Sequence, residues 1–195
     1  MLVKGAFTDD TVMPRTTSAS FATTAASWQN FYLLVGTAAA TLIGLMFVAL
    51  TFGASLVKVQ NVDSTRAFLD PTLTHFVQVL LTAICICAPS MSPLLLGGLL
   101  AVLGVLRVIA LVRIHRHMRE AQRTANDIEL SDWITGVILP LAAYLLLIGC
   151  GIAFMAGHFA FSVLALVTVA VLMNGIYGAW ELMVWLALSR ARSKN

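Results

Sequence analysis

The run FYLLVGTAAATLIGLMFVALTFGASLV, from Phe31 to Val57, contains no Asp, Glu, Lys or Arg. A helix needs about 20 mostly apolar residues to cross a hydrocarbon core of roughly 30 Å, and this run exceeds that length. Four more apolar stretches follow, at residues 72–88, 94–112, 134–157 and 159–188. No soluble domain of this size buries so much apolar side chain: of 195 residues 59% are hydrophobic and 11% charged, and the mean hydropathy is +0.91. The expected fold is an all-α integral membrane protein, a bundle of five transmembrane helices filling residues 28–189.

The connections suit that count. Pro89-Ser90-Met91-Ser92-Pro93 ends one helix and starts the next, because proline cannot continue a helix but fits its first turn, which predicts a helical hairpin of the second and third spans. Only Gly157 and His158 separate the fourth span from the fifth, making those two antiparallel neighbours. With five spans, Lys58, Arg66, Arg107, Arg113, Arg116, Arg119, Arg123, Arg190, Arg192 and Lys194 fall on or near one side, against Lys4 and Arg15 on the other. Basic residues favour the cytoplasm, so the N terminus is expected outside and the C terminus, residues 190–195, inside. Trp28, Phe31 and Tyr32 then form an outer aromatic anchor, with Trp133 and Trp185 near the inner boundary.

Residues 1–27 carry Lys4, Asp9, Asp10 and Arg15 and lack the apolar core of a cleavable signal, so the first span is expected to direct insertion. Their Thr/Ser/Ala composition predicts a flexible outer tail, with Phe7 and Phe21 able to dock on the membrane or a neighbour. The cytoplasmic loop 113–132 opens with IHRHMREAQR and is expected to prolong the third helix into water. His115 and His117, two residues apart, point to different helix faces, which argues against a metal site and for a solvated basic face near anionic lipid. Cys85, Cys87 and Cys150 are odd in number and lie in apolar segments, as small fillers rather than disulfide partners. The net charge of +3 flanks spans, which makes it a topology signal and excludes nucleic acid as a partner.

Two features inside the spans carry functional possibilities. Gly36, Ala40 and Gly44 in the first span, and Gly149, Ala153 and Gly157 in the fourth, recur at four-residue intervals that let helix backbones approach closely, either within one subunit or at a subunit interface or pore wall. Thr37, Thr41, Thr51 and Ser55 line a neighbouring face of the first span. His75, Gln78 and Thr82 form a polar stripe in the second span, and Asn174, Gly178 and Glu181 another in the fifth. An ionisable group at mid-membrane costs about 2.5–3.5 kcal/mol on insertion scales, so each needs a partner or water. The topology puts His75, Arg107 and Glu181 at a common depth in the cytoplasmic half. A Glu181–Arg107 pair would be a structural clamp; a carboxylate shared with His75 and reached by water would bind a cation or relay protons, with Gln78 and Asn174 continuing the track. Arg107 could instead extend to the head groups.

The segments WQNFYLLVGTAAATLIGLMFVAL (Trp28–Leu50), RAFLDPTLTHF (Arg66–Phe76) and NGIYGAWELMVWLAL (Asn174–Leu188) resemble a family of small bacterial membrane proteins to which no activity is firmly attached, and Pro140 and Tyr144 fit it more loosely. The resemblance implies a bacterial inner membrane and draws Arg66, Pro71, His75, Trp180 and Glu181 into its patterns; an aspartate commonly stands where Glu181 stands here. Neither HExxH, nor a phosphate-binding glycine loop, nor GxSxG is present, and Ser90 and Ser92 have no base beside them, so no enzymatic reaction, cofactor or metal is expected. Two functions compete: a homo-oligomeric ion or proton channel or transporter, and an accessory subunit docking on a larger membrane complex. No internal repeat or broken helix of the usual transporter kind supports the first.

Overall fold

The computed structural model describes residues 15–53, 62–89, 91–121 and 137–192. They form five helices: α1 (Arg15–Gly53), α2 (Val62–Cys87), α3 (Pro93–Ala121), α4 (Leu139–Met155) and α5 (Phe161–Arg192). No strand occurs among the described residues. Three segments, Ser20–Thr51, Pro93–Arg113 and Phe161–Val184, are long and apolar enough to cross a membrane, and Thr72–Cys87 and Leu139–Met155 are shorter apolar helices. Large apolar side chains dominate the exposed surface, with Leu34 and Leu166 each 70% exposed. An apolar surface of this extent suggests a membrane protein, lipid taking the place of water around it.

Local chemistry explains the helix ends. Ser92 caps α3: its hydroxyl accepts the Leu95 N–H at 3.2 Å and its carbonyl the Leu96 N–H at 2.9 Å, while Pro93 occupies the first turn where no N–H is needed. At the end of α4, Gly157 takes a φ of +82°, His158 N–H donates to the Ala153 carbonyl at 2.8 Å and Gly157 N–H to the Phe154 carbonyl at 3.1 Å. This pair of bonds closes a helix on a left-handed residue, a conformation costly for any side chain with a Cβ. Gly157 therefore terminates α4, and within the described residues no atom lies within 4 Å of a Cβ placed there.

Two expected boundaries move. α1 starts at Arg15, so the tail expected to be flexible through residue 27 is helical from Arg15 onward. The reason is Phe21, which is 4% exposed and packs on Phe154, Phe159 and Phe161 at ring-centroid distances of 6.2, 5.3 and 5.8 Å. Trp28 stacks on Phe161 at 6.4 Å and meets Phe31 edge-on at 5.8 Å, completing an aromatic cap over the α4–α5 turn. Replacing Phe21 with Leu keeps apolar burial but removes the ring-edge contacts, and is expected to lower stability by about 1 kcal/mol in detergent, with faster hydrogen exchange in the α4–α5 turn. α2 starts at Val62 and runs through Pro71, which lacks an N–H, so the helix forfeits one backbone bond there.

Packing follows small residues rather than chain order. α2 and α3 are consecutive but touch little; the expected hairpin is not a packed pair. The closest pairings are α3 with α4, α1 with α2 and α2 with α5, and α5 also meets α4 and α1. α3 leaves α2 because its glycines fit α4: a Cβ on Gly151 would stand 2.6 Å from the Gly97 carbonyl oxygen and 2.8 Å from the Ala101 nitrogen. Backbone-to-backbone contact of this kind supplies the dispersion energy that holds helices together where lipid removes the hydrophobic drive. The loop residues 122–132, the side chains of His115 and His117, Ser55, Trp133, and the ends 1–14 and 193–195 lie outside the described residues.

Candidate functional site

The middle of the bundle holds a run of polar side chains. Gln78 and Thr82, each 2% exposed, share one face of α2: Gln78 Nε2 donates to Thr82 Oγ1 at 3.3 Å, and Thr82 Oγ1 donates to the Gln78 carbonyl at 2.9 Å. From α3, Arg107 Nε donates to Gln78 Oε1 at 3.0 Å. Arginine has only donors, so this contact fixes which end of the Gln78 amide is oxygen. One turn earlier on α2, His75 Nε2 lies 3.3 Å from Asn174 Nδ2 of α5, and the imidazole lies nearly parallel to the Tyr144 ring at 6.3 Å, 15° between planes. If the amide nitrogen donates, His75 Nε2 is the acceptor and the ring is neutral with its proton on Nδ1.

Toward the aromatic cap the track continues on α5 and α1. Thr168, 3% exposed, donates to the Leu164 carbonyl at 2.7 Å, and the fully buried Tyr32 donates to the Phe161 carbonyl at 3.3 Å, with the Thr168 hydroxyl as a second neighbour. Gln78, Thr82, Tyr144 and Thr168 border a cavity of about 10 Å³, room for one water at most. The space beside His75 and Asn174, walled by Pro140 and Ala143, admits none. Among the described residues every buried side-chain nitrogen and oxygen has a hydrogen-bond partner.

The structure joins four of the five expected cluster residues, pairwise: His75 with Asn174, and Gln78 with Arg107. Glu181 stands apart. Gly175 packs on Phe76 and His75, and Gly178 on the Thr72 hydroxyl, so α5 passes α2 closely and antiparallel. At 1.5 Å per residue, Glu181 is about 10 Å further along the axis than Asn174. The acceptor for Arg107 is a neutral amide, that of Gln78, instead of the Glu181 carboxylate. The α2–α5 register, set by the glycine contacts, brings Asn174 rather than Glu181 level with His75.

The six small residues also divide. A Cβ on Gly36, which is buried, would stand 2.7 Å from the Ala83 Cβ, an α1–α2 contact within the chain. Ala40, Gly44 and Gly149 are exposed, Gly44 and Gly149 with no atom within 4 Å of an added Cβ, and Ala153 is half-buried. Thr37, Thr41 and Thr51 are exposed too, each hydroxyl bonded to the carbonyl four residues back at 2.8, 2.9 and 2.9 Å, so no pore wall faces them inside this chain. Sequence inspection missed Tyr144, Thr168 and Tyr32 as members of the track. The available signal was that a lone hydroxyl in an apolar helix must find a partner.

Cys85 and Cys87 are half-buried and Cys150 buried, all with free thiols, and no group of three potential metal ligands occurs among the described residues. No family model, curated protein or solved structure matches the chain.

Proposed function

We propose that the chain is a five-span protein of a bacterial inner membrane, N terminus outside and C terminus in the cytoplasm, that assembles with copies of itself and passes protons along its central polar track. The observation that carries this is the position of His75 between the Asn174 amide and the Tyr144 ring, one turn from the Gln78–Arg107 pair. Imidazole is the side chain that gains and loses a proton near neutral pH, and here it sits in a chain of hydrogen-bonding groups inside apolar helices. A cavity of about 10 Å³ favours protons over hydrated ions, which need a wider path. The guanidinium of Arg107, held on Gln78 one turn along α2, is the fixed charge nearest this stretch of the track. Glu181, in the α5 stripe nearer the cytoplasmic end, is the natural entry or exit group.

A second function, an accessory subunit docked on another membrane complex, is favoured by a separate observation: Ala40, Gly44 and Gly149 offer open, small faces on the outside of the bundle. One experiment separates the two. Protein purified in mild detergent should migrate as a homo-oligomer and, in liposomes under an imposed pH gradient, should dissipate that gradient faster than protein-free vesicles. Absence of flux, together with stoichiometric co-purification of a different membrane protein, would establish the accessory role instead.

A further inference from the structure

We infer that the cavity between α2, α4 and α5 is a binding site for a single water molecule that bridges Gln78 and Thr82 to Thr168. Three features point to it. Thr82 and Thr168 have each committed their hydroxyl hydrogen to the carbonyl four residues back, at 2.9 and 2.7 Å, so both oxygens can only accept; one Thr82 lone pair takes Gln78 Nε2 and the other is open. Gln78 Nε2 gives one hydrogen to Thr82 at 3.3 Å and keeps a second, while Arg107 holds the amide oxygen and prevents the group from turning over. The three side chains border one cavity of about 10 Å³, the lower limit for one water. A water there accepts from Gln78 and donates to Thr82 and Thr168, three bonds in all, in a space that Tyr144 also lines. It thereby closes the gap between the Tyr32–Thr168 end of the track and the Gln78–Arg107 end.

The site itself stands independently of transport; its service as a relay rests on the proton function proposed above. In that service a proton arriving at the water forms one O–H bond while another O–H bond breaks toward the next oxygen, so the water is regenerated in a turned orientation.

Solid-state NMR of the full chain in liposomes tests the site without any flux measurement. Magnetisation starting on water is expected to reach the Gln78 side-chain amide in the wild-type protein. It should fall to the level of the surrounding apolar core in Thr168→Val, which matches the volume but lacks the oxygen, and persist in Thr168→Ser, which keeps it. No transfer in the wild type, equal transfer in Thr168→Val, or loss in a folded Thr168→Ser would overturn the water site. Transfer as expected in a protein without proton flux would leave the site standing and remove the proposed function.

Discussion

Gly97→Leu is expected to cost at least about 3 kcal/mol, the upper end of what overpacking does, because its first added carbon lands on backbone. A Cβ at Gly97 meets the Gly151 carbonyl, with the Met155 nitrogen 2.9 Å away. A side chain can rotate out of the way; a carbonyl and an amide held in α4 cannot, so α3 and α4 must separate along the tightest pairing in the bundle. Gly149→Leu is the matched control, since it lies two residues from Gly151 and meets nothing within 4 Å. Its effect on unfolding of the monomer in detergent should stay within about 0.5 kcal/mol. Equal tolerance of both substitutions would show that α3 and α4 do not meet on these glycines.

His75→Gln should abolish proton flux, to the level of protein-free vesicles, while leaving the fold in place. Glutamine retains hydrogen-bonding capacity toward Asn174 and occupies similar space, so the stability loss should be about 1 kcal/mol or less. It cannot titrate, however, and a relay through this position requires a group that does. If the cluster serves only to lock α2 against α5, His75→Gln changes neither flux nor oligomeric mass. The glutamine variant is thus more informative than alanine, which opens a cavity at a residue only 7% exposed.

The apolar runs reveal the helical membrane architecture because bilayer thickness imposes a length that composition alone can report. Pro93 likewise marks the start of α3, for the simple reason that its chemistry is local. What depends on helix rotation was harder to see. Steps of four residues advance about 40° beyond a full turn, so Gly36, Ala40 and Gly44 walk around α1 from the α2 contact to the outside. The glycines that do bring helices together, Gly97 with Gly151 and Gly175 and Gly178 against α2, have spacings no more suggestive than those that do not. Register was invisible for the same reason: the offset of α5 on α2 decides that Asn174, and not Glu181, reaches His75. The His75-Gln78-Thr82 stripe was legible because all three lie on one helix at helical spacing. The partners of that stripe come from three other helices, and a single chain read in order does not state which ones meet.

The most direct test is the reversal potential of wild-type protein in planar bilayers with opposed proton and potassium gradients. A proton track predicts a reversal potential that follows the proton gradient, moving by about 59 mV per pH unit, and that is indifferent to potassium. A reversal potential set by potassium or by the accompanying anion would mean that ions pass by a wider route than the one between Gln78, Thr168 and His75, and would contradict the proposed function.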